Sequence, residues 1–147
     1  MDAQQIKLNP DPLAPYRISQ AFRIGNLVIT SGQAAINSEG ELVGVGDFAA
    51  QATQTFANLQ AVLETAGSSL DQVIKVTIYL KDMTRFPEIV ALREQYFSAP
   101  YPADTIVEVS SLALPELEIE IEAIGLVDGT TVASSPAQVP PGGSGAR

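Results

Sequence analysis

The sequence of 147 residues contains no cysteine, no histidine and no tryptophan. Without cysteine, the chain forms no disulfide, builds no thiolate zinc site and has no cysteine nucleophile. Without histidine, it lacks the usual general base near neutral pH and the commonest metal ligand. Any chemistry therefore depends on carboxylates, hydroxyls, lysine, arginine, backbone groups or water.

Basic residues are also scarce: 8 Lys and Arg stand against 17 Asp and Glu, which gives a formal net charge of −9 and a pI of about 4.3. A surface of this sign repels a phosphate backbone, so we expect no nucleic-acid partner. The sequence has no apolar run near the roughly 20 residues of a membrane span, and its first residues lack the apolar stretch of a signal peptide. These absences predict a cytoplasmic protein without a membrane partner.

Short strands are the first positive feature. The alternation over residues 18–24, the Gly25-Asn26 turn signal and the apolar run over 27–30 predict a β-hairpin. Residues 1–15 contain three prolines and are predicted to form an irregular arm. β-Branched runs predict three further strands, over residues 73–80, 105–109 and 117–126.

Two helices are predicted between these strands. Asp47 is the N-cap candidate of the first, whose apolar residues recur at steps of three and four until Gly67 ends the helix. Asp82 or Thr84 is predicted to cap the second helix, with Pro87 in its first turn.

The predicted order is β-β-α-β-α-β-β, which indicates an α+β fold with both helices on one face of a sheet. This single domain spans residues 1–127. From 128 to 147 the composition turns to Pro, Gly and Ser without a period, which predicts a disordered tail.

Two stretches carry side chains or backbone suited to a site. Glu118, Glu120 and Glu122 alternate with apolar residues, so all three carboxylates lie on one face of the last strand. They form either a solvated acidic face or a cleft in which one carboxylate acts as acid or base. Ser31-Gly32 ends the second strand, and it is either a simple turn or a place where a ligand approaches the backbone closely.

Together, four stretches resemble the RidA (YjgF) family: GNLVITSGQ at 25–33, VIKVTIYLKDM at 73–83, YPA at 101–103 and EIEIEAI at 118–124. The resemblance covers residues 13 to about 127. It implies a chorismate-mutase-like fold and a homotrimer with a small-molecule cleft at each subunit interface. It also implies hydrolysis of reactive imines and enamines to ketoacids and ammonia, without a metal or an organic cofactor.

The resemblance implies roles for individual residues. Ser31 and Gly32 match positions that contact the ligand through their backbone, and Glu120 matches a residue that orients water. The position of a cleft tyrosine falls on Ile18, with Tyr16 two residues earlier, and that of a frequent cysteine falls on Ile106.

Asp104 departs from the family pattern, because active members read Pro-Ala-Arg where this chain reads Pro-Ala-Asp. In the family, that arginine binds the substrate carboxylate. Two unit charges 4 Å apart interact by about 4 kcal/mol at an effective dielectric of 20, and a carboxylate in place of the arginine turns this attraction into repulsion. Asp104 is therefore predicted to exclude 2-iminoacids or to receive a cationic or amine-bearing ligand; alternatively, it caps a turn in a cleft that has lost its chemistry. Arg17 and Arg23 are the candidates for a compensating charge.

Three functions remain open. In the first, Glu120 orients water and Asp104 is a second carboxylate, so the pair acts as acid and base in imine or enamine hydrolysis. In the second, the scaffold is a non-catalytic module that binds a small ligand or another protein. The third, RNA cleavage, is disfavoured by the acidic charge and the missing histidine.

Overall fold

The computed structural model describes residues 1–135, which form one mixed β-sheet and two α-helices. The strands are β1 (Ala3–Ile6), β2 (Ala21–Ile24), β3 (Leu27–Thr30), β4 (Gln33–Ala34), β5 (Val73–Leu80), β6 (Ala103–Glu108) and β7 (Ile119–Leu126). The helices are α1 (Phe48–Thr65) and α2 (Phe86–Tyr96). The predicted α+β fold is confirmed.

The sheet runs in the order β1-β2-β3-β7-β5-β6, with β4 also paired to β7. β5 lies between antiparallel β7 and parallel β6. The parallel pair requires a crossover, and α2 supplies it. Residues of β7 are alternately buried and half-buried, as expected for a strand with one face on the core.

The core lies between the sheet and α1, whose buried side chains recur at helical spacing from Phe48 to Leu63. The Phe56 ring stacks on Tyr96 with 4.2 Å between centroids and meets the edge of Phe97 at 5.8 Å. These contacts join α1 to the end of α2, so both helices cover the same face of the sheet.

Local signals in the sequence gave several boundaries correctly. The predicted strand 73–80 is β5, and Asp47 caps α1 by accepting a hydrogen bond from the Ala50 N–H at 3.1 Å. The predicted cap of the second helix is wrong, because the N-cap of α2 is Arg85, whose side chain makes no capping hydrogen bond. Asp82 instead caps the 3-10 turn Met83–Arg85 that precedes α2, through Thr84 N and Oγ1.

The arm prediction is wrong over Ala3–Ile6, which forms β1 and pairs antiparallel with β2. The last two predicted strands are each displaced by two residues at their start: β6 begins at Ala103 and β7 at Ile119. Edge pairing in β6 extends the strand beyond its β-branched run, because backbone hydrogen bonds to β5 do not depend on side-chain type.

The predicted tail is only partly covered. Residues 128–135 contain neither helix nor strand, and Gln72 Nε2 donates to the Gly129 carbonyl at 3.0 Å. Residues 136–147 lie outside the described part, so the disordered tail stays a prediction. Neither helix of residues 1–135 has the length and apolarity needed to cross a bilayer.

Candidate functional site

A cavity of about 520 Å³ contains five of the predicted site residues: Tyr16, Ile18, Ser31, Gly32 and Glu120. We call it the Glu120 cavity. Its walls come from the N-terminal arm, the turn between β3 and β4, and the segment before β7. Tyr16 and Ile18 are 71% and 45% exposed, so they lie at its mouth.

The arm is held in place by buried polar side chains. Asp11 Oδ1 accepts from Leu13 N at 3.0 Å and from Gln20 Nε2 at 2.8 Å. Gln20 Oε1 in turn accepts from Gln33 Nε2 at 3.0 Å, and both glutamines are buried. This chain of bonds fixes one wall of the Glu120 cavity relative to β2 and β4, because unpaired buried amides would cost free energy.

Gly32 leaves room for the carboxylate of Glu120. A methyl group at Gly32 would stand 2.2 Å from Glu120 Oε1 and 2.8 Å from its carboxyl carbon. The preceding residue, Ser31, is hydrogen-bonded through both its backbone and its side chain. Ser31 N donates to the Gln20 carbonyl at 2.8 Å, and Ser31 Oγ donates to the Ser19 carbonyl. The glycine is therefore needed for space beside the carboxylate.

Burial, and after it the negative charge of Glu122, raises the pKa of the Glu120 carboxyl above its ordinary value of 4.5. A raised pKa makes the carboxylate a stronger base than a surface glutamate and keeps its protonated form populated to a higher pH. Glu120 is accordingly suited to both proton uptake and proton release.

A second cavity, of about 360 Å³, contains Asp104 and Ile106 together with Arg93 and aromatic side chains. We call it the Asp104 cavity. Arg93 donates to Asp104 twice, from Nε to Oδ2 at 2.8 Å and from Nη2 to Oδ1 at 2.9 Å. Asp104 is thus ion-paired, and the assumption that it presents an uncompensated negative charge is wrong.

One chain does not bring Asp104 and Glu120 together. Asp104 is in register with buried Val76, whereas Glu120 is in register with half-buried Tyr79, and these two residues of β5 point to opposite faces. The predicted pair of carboxylates is therefore absent within a single chain, and each lines a different cavity.

The arginine that neutralises Asp104 is neither of the two candidates predicted from the sequence. Arg23 Nε donates to the Gly25 carbonyl at 3.2 Å, beside the β2–β3 turn, and Arg17 is exposed directly after the 3-10 turn Ala14–Tyr16. Arg93, on α2, is the residue that reaches Asp104.

The three glutamates at 118, 120 and 122 do not form a uniformly solvated face. Glu118 lies 4.0 Å from Arg85, Glu120 covers Gly32, and Glu122 accepts a hydrogen bond from the Tyr79 hydroxyl. That hydrogen bond, with smaller effects of burial and of the charges on Glu122 and Glu120, raises the pKa of Tyr79 to about 12.

This shift gives a prediction for alkaline titration. The folded state holds the Tyr79 proton more tightly than the unfolded state, so the stabilisation is complete below pH 10 and is lost as the pH rises through about 12. We expect tyrosinate absorbance to rise in a late step near pH 12 that Tyr79→Phe removes and the control Tyr16→Phe retains. A late step that survives in Tyr79→Phe would contradict the assignment.

Within residues 1–135, no group of three acidic side chains converges in an arrangement that could hold a metal ion. The expectation that the protein needs no metal or organic cofactor stays a prediction.

Known proteins provide an independent comparison. Residues 6–127 match the family model described as endoribonuclease L-PSP. A RutC family protein of Pyrococcus abyssi is 44% identical over 116 residues, which cover 78% of this chain and 88% of that protein. The 2-iminobutanoate/2-iminopropanoate deaminase of Escherichia coli (strain K12) is 38% identical over 121 residues, with 80% and 91% covered.

Solved structures agree with these sequence matches. RidA from the Antarctic bacterium Psychrobacter sp. has a TM-score of 0.76 to this chain at 37% identity, covering 84% of this chain and 98% of that one. The sequence resemblance is therefore confirmed, and the chain belongs to the RidA (YjgF) family.

Proposed function

We propose that this protein hydrolyses reactive imines and enamines, with Glu120 as its catalytic carboxylate. The observation that carries the proposal is the half-buried Glu120 side chain, with a raised pKa, in a mostly apolar cavity beside Gly32. The name of the E. coli relative, a 2-iminobutanoate/2-iminopropanoate deaminase, supports the same reaction class.

The proposed reaction adds water to the C=N bond. An enamine first becomes the imine by taking a proton on carbon. Glu120 accepts a proton from a water molecule as the water oxygen attacks the imine carbon, and it returns this proton to the imine nitrogen. In the resulting carbinolamine, Glu120 takes the hydroxyl proton and passes it to the amino group as the C=O bond forms and the C–N bond breaks. A ketone or ketoacid and ammonia leave, and the Glu120 carboxylate is regenerated.

A homotrimer is the second part of the proposal. The face of the sheet that the helices leave open carries apolar side chains in register, with Ile29 opposite Phe22 on one side and Ile124 on the other. Phe22 and Ile29 are 41% and 44% exposed in the single chain. A contiguous apolar face of this kind is typical of a subunit interface, and closed symmetry buries it on every subunit.

The active site is proposed to form where the Glu120 cavity of one subunit meets the Asp104 cavity of the next. Two observations support this: the predicted site residues are divided between two separate cavities in one chain, and both cavities are open to solvent. The predicted exclusion of 2-iminoacids by Asp104 loses its basis, since Arg93 neutralises that carboxylate.

Competition with a trap tests the reaction. An imine such as 2-iminobutanoate is generated in the assay from its amino acid, and semicarbazide captures whatever survives. We expect the purified protein to lower semicarbazone formation at catalytic concentration. A protein that only binds ligands, the alternative function, would change it no more than stoichiometrically, and that outcome would refute the proposed activity.

Gly32→Ala separates catalysis from stability. The added methyl displaces the end of a flexible side chain, so we expect a melting temperature close to that of the parent. Because the carboxylate moves, imine hydrolysis should fall by about 100-fold. Gly40→Ala is the control: its φ of +82° strains an alanine, but nothing lies within 4 Å, so it should cost about 1 kcal/mol and leave activity intact. Equal activity in the two variants would contradict this account.

A further inference from the structure

A side-chain amide on α1 holds the backbone of β4 and of the residues that follow it. Asn58 Nδ2 donates to the Ala34 carbonyl at 2.8 Å and to the Ile36 carbonyl at 2.7 Å. An amide nitrogen carries two N–H donors, so these bonds use both of them. Asn58 Oδ1 accepts from Gln54 Nε2 at 2.7 Å, one helical turn earlier, and this bond fixes the orientation of the amide.

The strand that Asn58 holds lies directly beside the proposed catalytic carboxylate. Ala34 is in register with Glu120 where β4 pairs with β7, and β4 has only two residues. So short a strand forms few ladder hydrogen bonds, and its position therefore depends on contacts outside the ladder. Asn58, Ala34, Ile36 and Glu120 all line the Glu120 cavity. The amide thus fixes the wall of the cavity that continues from Gly32 along the Glu120 side chain.

We propose that Asn58 is a positioning residue for imine hydrolysis, because it holds β4 so that the Glu120 carboxylate stays beside Gly32 and shielded from water. The inference rests on the proposed function and adds a residue to the same site. Both N–H donors of Asn58 are engaged by backbone carbonyls, so the side chain has no donor left for a substrate. Its effect on the reaction passes through Glu120.

Loss of the amide has a defined electrostatic consequence at Glu120. Burial is the largest cause of the raised pKa of the Glu120 carboxyl, ahead of the negative charge of Glu122. When β4 is no longer held against β7, water reaches the carboxylate, and its pKa falls toward the ordinary value of 4.5. A carboxylate with a lower pKa is a weaker base, so both the rate and its pH dependence should change.

The titratable groups around Glu120 stay the same when the amide is replaced. Glu118 and Glu122 flank it along its own segment, and Tyr79 on β5 is in register with it. Of the described residues that line the Glu120 cavity, Tyr16 is the one other titratable group. A shift in the pH profile after loss of the amide therefore reports on the solvation of Glu120.

Asn58→Leu tests the inference, since leucine is similar in size and removes the hydrogen bonds. We expect kcat for 2-iminobutanoate to fall about tenfold with KM nearly unchanged, because the misplaced carboxylate acts in the chemical step. Activity is lost as the pH falls through the pKa of the base, so the acid limb of the kcat profile should move to lower pH.

Gln60→Leu is the matched control on the same helix. Gln60 Nε2 donates to Glu64 Oε1 at 2.9 Å, so this variant also removes a hydrogen bond between side chains four residues apart, but on the exposed side of α1. It should keep the parental kcat and pH profile. An Asn58→Leu protein that is less stable but retains both would show that Asn58 only stabilises the fold, and would overturn the inference.

Carbon NMR of carboxyl-labelled glutamate measures the same effect without turnover. The Glu120 signal is assigned by its loss in Glu120→Gln, and its titration midpoint should be lower in Asn58→Leu than in the parent and in Gln60→Leu. A parent without turnover would refute the proposed function, whereas an unchanged midpoint in an active protein would refute the role of Asn58 alone.

Gln54→Leu decides the question if Asn58→Leu does not fold. It keeps both donors of Asn58 but removes the group that orients the amide. We expect a smaller fall in kcat and a shift of the Glu120 midpoint in the same direction. In that case, a parental kcat and midpoint in Gln54→Leu would overturn the inference.

Discussion

Glu120→Gln lowers kcat for imine hydrolysis by about 100-fold or more and leaves KM nearly unchanged, if Glu120 takes the proton from water as proposed. Glutamine is nearly isosteric and still accepts a hydrogen bond, so it can hold water beside Gly32. It cannot accept the proton, and the barrier therefore rises in the chemical step alone.

Glu122→Gln is the matched control, since it makes the same change two residues along the same face of β7. Glu122 is hydrogen-bonded to Tyr79 and acts on Glu120 only through its charge. We expect kcat to stay within a few-fold of the parent. Comparable losses in both variants would show that general disturbance of the acidic strand is responsible, and a fully active Glu120→Gln would remove the proposed catalytic role.

We expect Ile29→Glu to dissociate the proposed trimer into single chains and to abolish turnover, because the open face carries the proposed interface and the proposed site is divided across it. Ile29 is 44% exposed in the single chain and lies between Phe22 and Ile124. Closed symmetry would bury three equivalent glutamates, and the effective penalty is several kcal/mol for each buried charge.

Light scattering gives the mass, and the trap assay gives the activity of the same sample. Val45→Glu is the control, because Val45 is 61% exposed in the loop before α1, outside the strands that form the open face. It should keep the parental mass and rate. A trimeric Ile29→Glu would show that this face is not the interface, and an active monomer would show that the site does not need one.

Much of the fold could be predicted because local signals and tertiary structure agree. β5 is a run of β-branched and apolar residues whose alternate side chains are buried, and its predicted bounds were correct. β1 was missed because its four residues, Ala-Gln-Gln-Ile, have little strand propensity. Its hydrogen bonds to β2 are a tertiary effect, and a single sequence does not reveal them.

The residues of the candidate site likewise include some that could be predicted from the sequence and some that could not. Motifs placed Ser31, Gly32 and Glu120 in one cavity, and the structure does bring them together. The pairing of Arg93 with Asp104 spans 11 residues and two elements, so no local spacing indicates it. One signal was nevertheless present: Arg93 lies four residues after Ile89 and three before Tyr96, on the apolar stripe of α2 that must face the sheet.

The position of Glu120 relative to Asp104 could not be predicted without knowing the pairing register of the strands. Alternation shows which neighbours share a face within one strand, but it gives no relation between strands. Only the registers of β5 with β6 and with β7 put the two carboxylates on opposite faces. For this reason the two carboxylates that the sequence predicted to act as a pair lie in two separate cavities, the Glu120 cavity and the Asp104 cavity.

Mixed trimers test the central claim most directly, namely that each active site combines the Glu120 cavity of one subunit with the Asp104 cavity of another. Glu120→Gln removes the proton acceptor, and Ile106→Trp fills the Asp104 cavity, so each variant alone should be inactive. The two are unfolded together, refolded at equal concentration and assayed by trapping.

If the site spans two subunits, random assembly restores both intact halves at about a quarter of the sites, and the mixture should recover about a quarter of the parental rate. Recovery at the background rate of the separate variants, in a sample that light scattering shows to be fully mixed trimers, would contradict the account.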